Sequence, residues 1–181
     1  SEMADLDQKY RFRYRIFHVG RKTEAKNLDN LIRALRLLGP DYCLLATGKG
    51  DPEPFRRIAE QEGVLDRCFL IESIPNEELP RYFSWADCMC NPSRWEGMSL
   101  ALIEALAGGA VLVTSDKPEI SQFVQHEENG LLIRDYLNPA AIAAAIQRAC
   151  TDQDLRRTIK AALAALAEAG ARPLHDLVLR T

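Results

Sequence analysis

Six short apolar runs, each followed by a loop and an amphipathic stretch, constrain this chain more than any other feature. The runs cover residues 14–19, 42–47, 68–71, 86–90, 110–114 and 130–133. Brief continuous runs of this kind suit strands covered on both faces. Between them the period changes. Leu28, Leu31, Ile32, Leu35 and Leu38 recur at helical spacing, with Asn27 placed as an N-cap. Further helices are predicted over 53–62, over 76–84 (entered through Pro75-Asn76), over 99–107 and over 119–126. Ile142 and Ile146 mark another, and Leu155, Ile159, Leu163 and Leu166 a last one that ends near Gly170. Repeated strand–helix alternation predicts an α/β fold with a Rossmann-like, doubly wound parallel sheet of about six strands. In such sheets ligands bind beyond the carboxyl ends of the strands, so the loops that follow strands should carry the function.

Composition excludes several classes. At 181 residues the chain is long enough to bury a core without disulfides. A net charge of −3 argues against general nucleic-acid binding, which needs clustered positive charge. The alternation of basic and aromatic residues over 9–16 reads as an entering strand with one polar face. No apolar stretch approaches the roughly 20 residues of a membrane span. The acidic, polar N-terminus does not read as a secretory signal. Five cysteines at irregular spacing (Cys43, Cys68, Cys88, Cys90 and Cys150) form no disulfide framework and read as buried, cytosolic thiols. In an extended segment Cys88 and Cys90 would point to one face.

The loop after the first run, 20–27, sets Arg21, Lys22 and Lys26 between a strand end and a helix start. Free N–H groups and the helix dipole favour anions there. The loop is therefore either a phosphate site or a solvated basic turn. His18, at the strand end, either flanks that site or is a satisfied polar residue. Gly48-Lys49-Gly50 follows the second run. It is either a plain turn or a place where backbone approaches a ligand closely. Glu53 stands where a dinucleotide fingerprint needs a third glycine, and there is no P-loop. The fourth run leads into Glu96, Gly97, Met98, Ser99 and Leu100, with Glu104 inside an apolar helix. An acid on such a helix costs stability unless it has a partner. Either Glu104 faces the same cleft as Glu96, or it pairs with an arginine such as Arg21. The amides from Gly97 to Leu100 open a helix and can hold an anion.

Glu96 and Glu104 form an E-x7-E pair that resembles the signature of retaining GT-B glycosyltransferases in the GT4-like branch of glycosyl transferases group 1. The order of further motifs is similar to that family. These are Gly20-Arg21 with Lys26, Gly48-Lys49-Gly50, 74–79 (IPNEEL), Pro92-Ser93, Ser115-Asp116, 129–132 (NGLL) and a helix of alanines after Pro139. The resemblance covers roughly residues 15–168. Asn27 stands where the family often has glycine, and asparagine tolerates similar backbone angles.

The resemblance implies a donor-binding domain over 10–170. Residues 1–9 are then a polar tail or a remnant of cloning, and 171–181 a C-terminal tail. It implies that Arg21 and Lys26 grip a donor diphosphate without a metal, and that Glu96 holds sugar hydroxyls. Gly97, Met98, Ser99 and Leu100 would offer amides to sugar and phosphate. Glu104 would accept from ribose hydroxyls. Gly20, Gly48 and Gly50 would flank the nucleotide, and backbone at Ile74 would meet the base. The implied donor is a nucleoside-diphosphate sugar, and no cofactor is implied. The implied acceptor is a glycan or lipid-linked sugar. The acceptor-binding N-terminal half is expected to be missing, and this piece alone to bind nucleotide but turn over little. The expected location is cytoplasmic, the inner face of a membrane being open to the full-length protein.

Overall fold

The structure is a computed structural model that describes residues 3–95 and 100–169. In chain order its elements are α1 (Ala4–Lys9), β1 (Tyr14–Val19), a 3-10 turn (Glu24–Lys26), α2 (Leu28–Leu37), β2 (Tyr42–Thr47) and α3 (Glu53–Gln61). A second 3-10 turn (Leu65–Arg67), β3 (Cys68–Ile71), α4 (Leu79–Trp85), β4 (Cys88–Asn91) and α5 (Leu100–Ala107) come next. The chain continues through β5 (Leu112–Ser115), α6 (Pro118–Ser121), β6 (Leu131–Ile133), α7 (Pro139–Thr151) and α8 (Gln153–Glu168).

Six strands form one sheet in the order β3-β2-β1-β4-β5-β6, and every described pairing is parallel. This is the doubly wound arrangement expected from the apolar runs, and both faces are covered. Phe17 stacks on Tyr82 of α4 with ring centroids 5.4 Å apart. On β4, Cys88 reaches Cys150 of α7, with Sγ atoms 3.9 Å apart. The apolar stripe of α2 (Leu28, Leu31, Ile32 and Leu35) is fully buried. All five cysteines are free and buried. Burial pushes the Cys43 and Cys68 thiols up to about 12, so they stay protonated core groups.

The sheet reverses its order between β1 and β4, which places the crevice there. β1 pairs with β2 along its full length, from Tyr14↔Tyr42 to Val19↔Thr47. It pairs with β4 only at Ile16↔Cys88 and Phe17↔Met89. Beyond that point the Asn91 side chain replaces the ladder. Its Nδ2 donates to the Val19 carbonyl at 2.8 Å, and its Oδ1 accepts from the Val19 amide at 3.4 Å. A side-chain amide carries both a donor and an acceptor, so it can stand in for a peptide unit as the strands part.

Three expectations need correction. Residues 4–9, read as part of a polar tail, form α1. Leu6 and Tyr10 are buried, Asp5 pairs with Arg81, and Asp7 pairs with Arg15 and accepts from Trp85 Nε1 at 3.1 Å. Few apolar residues suffice here because Tyr10 packs edge-on against Phe69 at 4.9 Å. The helix predicted over 119–126 stops at Ser121. Asn129 explains the stop: its Nδ2 donates to Phe123 O at 3.0 Å and its Oδ1 accepts from Gln125 N at 2.7 Å, folding the chain back. Residues 76–78 are a turn, and α4 begins at Leu79. The tail 171–181 lies outside the described residues.

Candidate functional site

The loops leaving β1 and β2 run on together beyond the sheet. Gly20 N donates to Thr47 O at 3.0 Å, and Lys22 N donates to Lys49 O at 2.8 Å. Gly48 makes this possible. At φ 147°, a Cβ on it would lie 1.9 Å from the Gly20 carbonyl oxygen. Gly50, at φ 118°, comes within 3.1 Å of Lys22 in the same sense. The Gly-Lys-Gly spacing thus serves first to bring loop against loop, and by doing so it shapes the floor of a cleft.

That cleft has a volume of about 450 Å³ and is lined by Gly20, Arg21, Gly48, Lys49, Ile74 and Asn76, among others. The Ile74 amide is already engaged, donating to Thr47 Oγ1 at 3.0 Å, while that hydroxyl donates to Glu72 O at 2.6 Å. The backbone that Ile74 offers to a ligand is therefore its carbonyl.

The three cations of the first loop part ways. Arg21 is exposed and lines the cleft. Lys26 is half-buried, its aliphatic stem lying over Gly20. Lys22 turns inward and is buried, its ammonium donating to the carbonyls of Gly48 and Ile71. Desolvation lowers its pKa, against an opposing pull from Glu72. Lys22 staples the exits of β2 and β3, whereas Arg21 lines the cleft and the Lys26 stem lies over Gly20.

Asn27 holds the N-cap position of α2, as expected, and its carbonyl accepts from Leu31 N at 3.2 Å, but its side chain does not cap. It sits in the left-handed region (φ 57°, ψ 31°) with no capping hydrogen bond. Its side chain is fully buried. Nδ2 donates to Pro92 O at 2.8 Å and Tyr136 O at 2.6 Å, and Oδ1 accepts from Asn30 Nδ2 at 2.9 Å.

Beside it, Arg94 forks onto Asp29 at 3.0 and 2.9 Å and donates to Glu24 O at 2.7 Å. The Arg94 amide donates to Ala25 O at 2.8 Å. Lys117 donates to the Arg94 carbonyl and lies 4.8 Å from the Tyr136 ring centroid. Burial alone would raise the Asp29 pKa, but its bonds to Arg94 and Arg33 outweigh that and hold it below the ordinary 3.8. The sign follows directly. A depressed folded-state pKa contributes stability above pH 3.8, and that stability disappears as pH falls through the folded value. Asp29→Asn is therefore expected to lower the urea-unfolding free energy by about 2 kcal/mol at pH 7, the scale of a charge-assisted bond. The gap should close in acid. An equal gap at pH 7 and pH 3 would show that the carboxylate charge is not what holds Arg94.

His18 is buried, and its Nδ1 donates to Cys90 O at 2.9 Å, across the β1–β4 seam. On α5, Leu100 is exposed and Glu104 half-buried. Their i, i+4 spacing puts them on one face, and the α5 helix buries Leu102, Ile103, Ala105 and Leu106 instead. The Arg21–Glu104 pairing considered from the sequence is not among the ion pairs of the described residues. Glu96, Gly97, Met98 and Ser99 lie outside the described residues. Among the described residues no cluster of His, Cys, Asp and Glu is placed to hold a metal ion. Asn27, Asp29 and Arg94 were not read as site residues. The contacts that join them across loops, Asn27 to Pro92 and Tyr136 and Asp29 to Arg94, span tens of positions, so no local pattern signals them.

A 3-2-1-4-5-6 parallel sheet, with a cleft floored by two glycine turns and edged by cations at the carboxyl ends, defines a Rossmann-like, doubly wound α/β domain. The comparisons make this specific. Residues 6–164 match the family described as glycosyl transferases group 1, and the chain belongs to that family. Over 154 residues it is 36% identical to the putative glycosyltransferase YtcC of Bacillus subtilis, covering 77% of this chain and 37% of that protein. HepE of Anabaena, crystallised with UDP, superposes with a TM-score of 0.85 at 17% identity, over 99% of this chain and 53% of its own. The crystallised C-terminal domain of LpcC, a group 1 family protein of Francisella tularensis, gives 0.77 at 23% identity, over 91% of this chain and 89% of its own. The fold is that of one half of a GT-B glycosyltransferase. The chain spans 37% of the length of YtcC and 53% of HepE.

Proposed function

We propose that the chain is the donor-binding domain of a retaining, metal-independent glycosyltransferase that moves a sugar from a nucleoside-diphosphate sugar to an acceptor hydroxyl. The observation that carries this reading is the cleft of about 450 Å³ where the Gly20-Arg21 and Gly48-Lys49 turns meet Ile74. The HepE complexes, which include UDP-glucose, agree with it. The base sits against the Ile74 carbonyl. Glu104 accepts from the ribose hydroxyls, and Arg21 and Lys26 hold the diphosphate. The Gly97–Leu100 amides and Glu96 hold the sugar. As the glycosidic bond to phosphate breaks, negative charge grows on the leaving diphosphate. Arg21 and Lys26 stabilise that charge, and the leaving phosphate takes the acceptor's proton. The second half of the enzyme supplies the acceptor, a glycan or lipid-linked sugar, and this domain alone turns over little. Among the described residues no helix is long and apolar enough to cross a membrane.

Calorimetry with UDP, GDP, ADP, the matching sugar nucleotides and NAD tests the reading. One nucleoside diphosphate should bind, and Glu104→Ala should weaken it about tenfold or more, the scale of a lost charge-assisted hydrogen bond. Binding of NAD alone would overturn the proposal. Binding of the donor by a full-length protein that transfers nothing to any acceptor would point to a non-catalytic module on the same fold.

A further inference from the structure

We propose that Asn27 is a positioning residue: its buried side-chain amide locks the diphosphate loop after β1 to the exits of β4 and β6. The three then present their ligand-facing groups as one unit.

The backbone alone does not require asparagine here. A left-handed residue at φ 57° is a position where glycine carries no Cβ penalty and asparagine carries some. What asparagine adds is the amide, and each end of it is engaged. Its two N–H groups reach Pro92 O at 2.8 Å, at the exit of β4, and Tyr136 O at 2.6 Å, after β6. Its oxygen takes the Asn30 amide at 2.9 Å, fixing the side chain to the first turn of α2. The residue is fully buried, so none of these bonds competes with water.

Asn27 directly follows Lys26, and Pro92 stands four positions before Glu96. Moving either loop separately breaks a buried bond. Two more links run the same way: Arg94 to Asp29 and Glu24 O, and Lys117 from the Arg94 carbonyl to the Tyr136 ring. Asn27 is the one residue of this set bonded to both the β4 and the β6 exits while adjoining a cation of the first loop.

The inference rests on the proposed diphosphate role of Lys26, and the test separates the two. Asn27→Gly keeps the backbone angle and removes all three bonds, so it should fold. Amide hydrogen exchange is measured first, without ligand. The Arg94 and Trp95 amides, which both point at Ala25 O, should lose protection in the variant. Unchanged protection there overturns the inference whatever binds.

Nucleoside-diphosphate affinity of the 181-residue chain is measured next. It should fall roughly 3- to 30-fold in Asn27→Gly, within the range for coupled neighbours, while affinity for the bare nucleoside stays the same. Lys26→Ala with Asn27→Gly should lose less than the product of the two single losses, because part of the Asn27 effect runs through Lys26. Additive losses, or equal losses for nucleoside and diphosphate, would mean that Asn27 only supports the fold. Absence of any nucleotide binding by the wild-type chain would strike the proposed function, and the exchange result would still decide the locking role.

Discussion

Gly48→Ala is expected to cost the fold about 3–5 kcal/mol, the sum of a strained backbone and an overpacked contact. It should abolish measurable nucleotide binding. The Cβ would sit 1.9 Å from the Gly20 oxygen and 2.6 Å from the Gly20 carbonyl carbon. Both are backbone atoms, so no rotamer change can clear them. The two loops would have to separate by more than 1 Å, the shortfall from an ordinary contact. Separation breaks the Gly20–Thr47 and Lys22–Lys49 hydrogen bonds and pulls on the Lys22 ammonium, which grips Gly48 O.

Two sister variants divide the cost. Gly50→Ala meets Lys22 atoms at 3.1 Å and φ 118°, so it should lose less. Gly63→Ala has φ 70° with nothing within 4 Å, leaving strain alone. Urea unfolding of the three should rank Gly48 far above Gly50, and Gly50 above Gly63. A Gly48 variant no worse than the Gly63 one would mean that the loop-to-loop contact does not exist in solution.

The strands were legible because a parallel sheet is apolar on both faces. The runs at 14–19, 42–47 and 68–71 coincide with β1, β2 and β3. The α2 stripe was legible for the same reason, at a different period. The glycines at 48 and 50 announced a close approach, but not of what to what. A ligand and a second backbone demand the same missing Cβ, and only the fold shows that Gly20 and Lys22 are the neighbours. The misreadings share one cause, a polar side chain that bonds beyond its own element. The Asn27 side chain looks like a cap until Pro92 and Tyr136 arrive beside it. Residues 119–126 look helical until Asn129 folds back on Phe123. The acidic start looks like a tail until Trp85 and Arg15 meet Asp7. Local pattern reports which face of an element is apolar. It does not report where a polar side chain ends its reach.

That limit bears most on the three cations of the first loop, which look alike in sequence and should behave differently. On the proposed function, Arg21→Ala and Lys26→Ala in the complete transferase are each expected to lower kcat about 10²- to 10³-fold, the scale of removing one preorganised donor from a developing anion. The fold should barely change, since Arg21 is exposed and Lys26 is half-buried. Lys22→Met should do the reverse. It leaves the carbonyls of Gly48 and Ile71 without their buried donor, which costs about 1–3 kcal/mol each where no water enters. Turnover by the molecules that remain folded should stay within a few-fold of wild type. The contrast is measured by pairing urea midpoints with kcat at saturating donor. If Lys22→Met lowers kcat as far as Lys26→Ala at equal folded fraction, the inward ammonium belongs to the phosphate site after all. If Arg21→Ala and Lys26→Ala raise only the donor KM, the two cations bind ground state and transition state alike. The chemistry of the leaving group would then have to be carried by other groups, the N-terminus of α5 first among them.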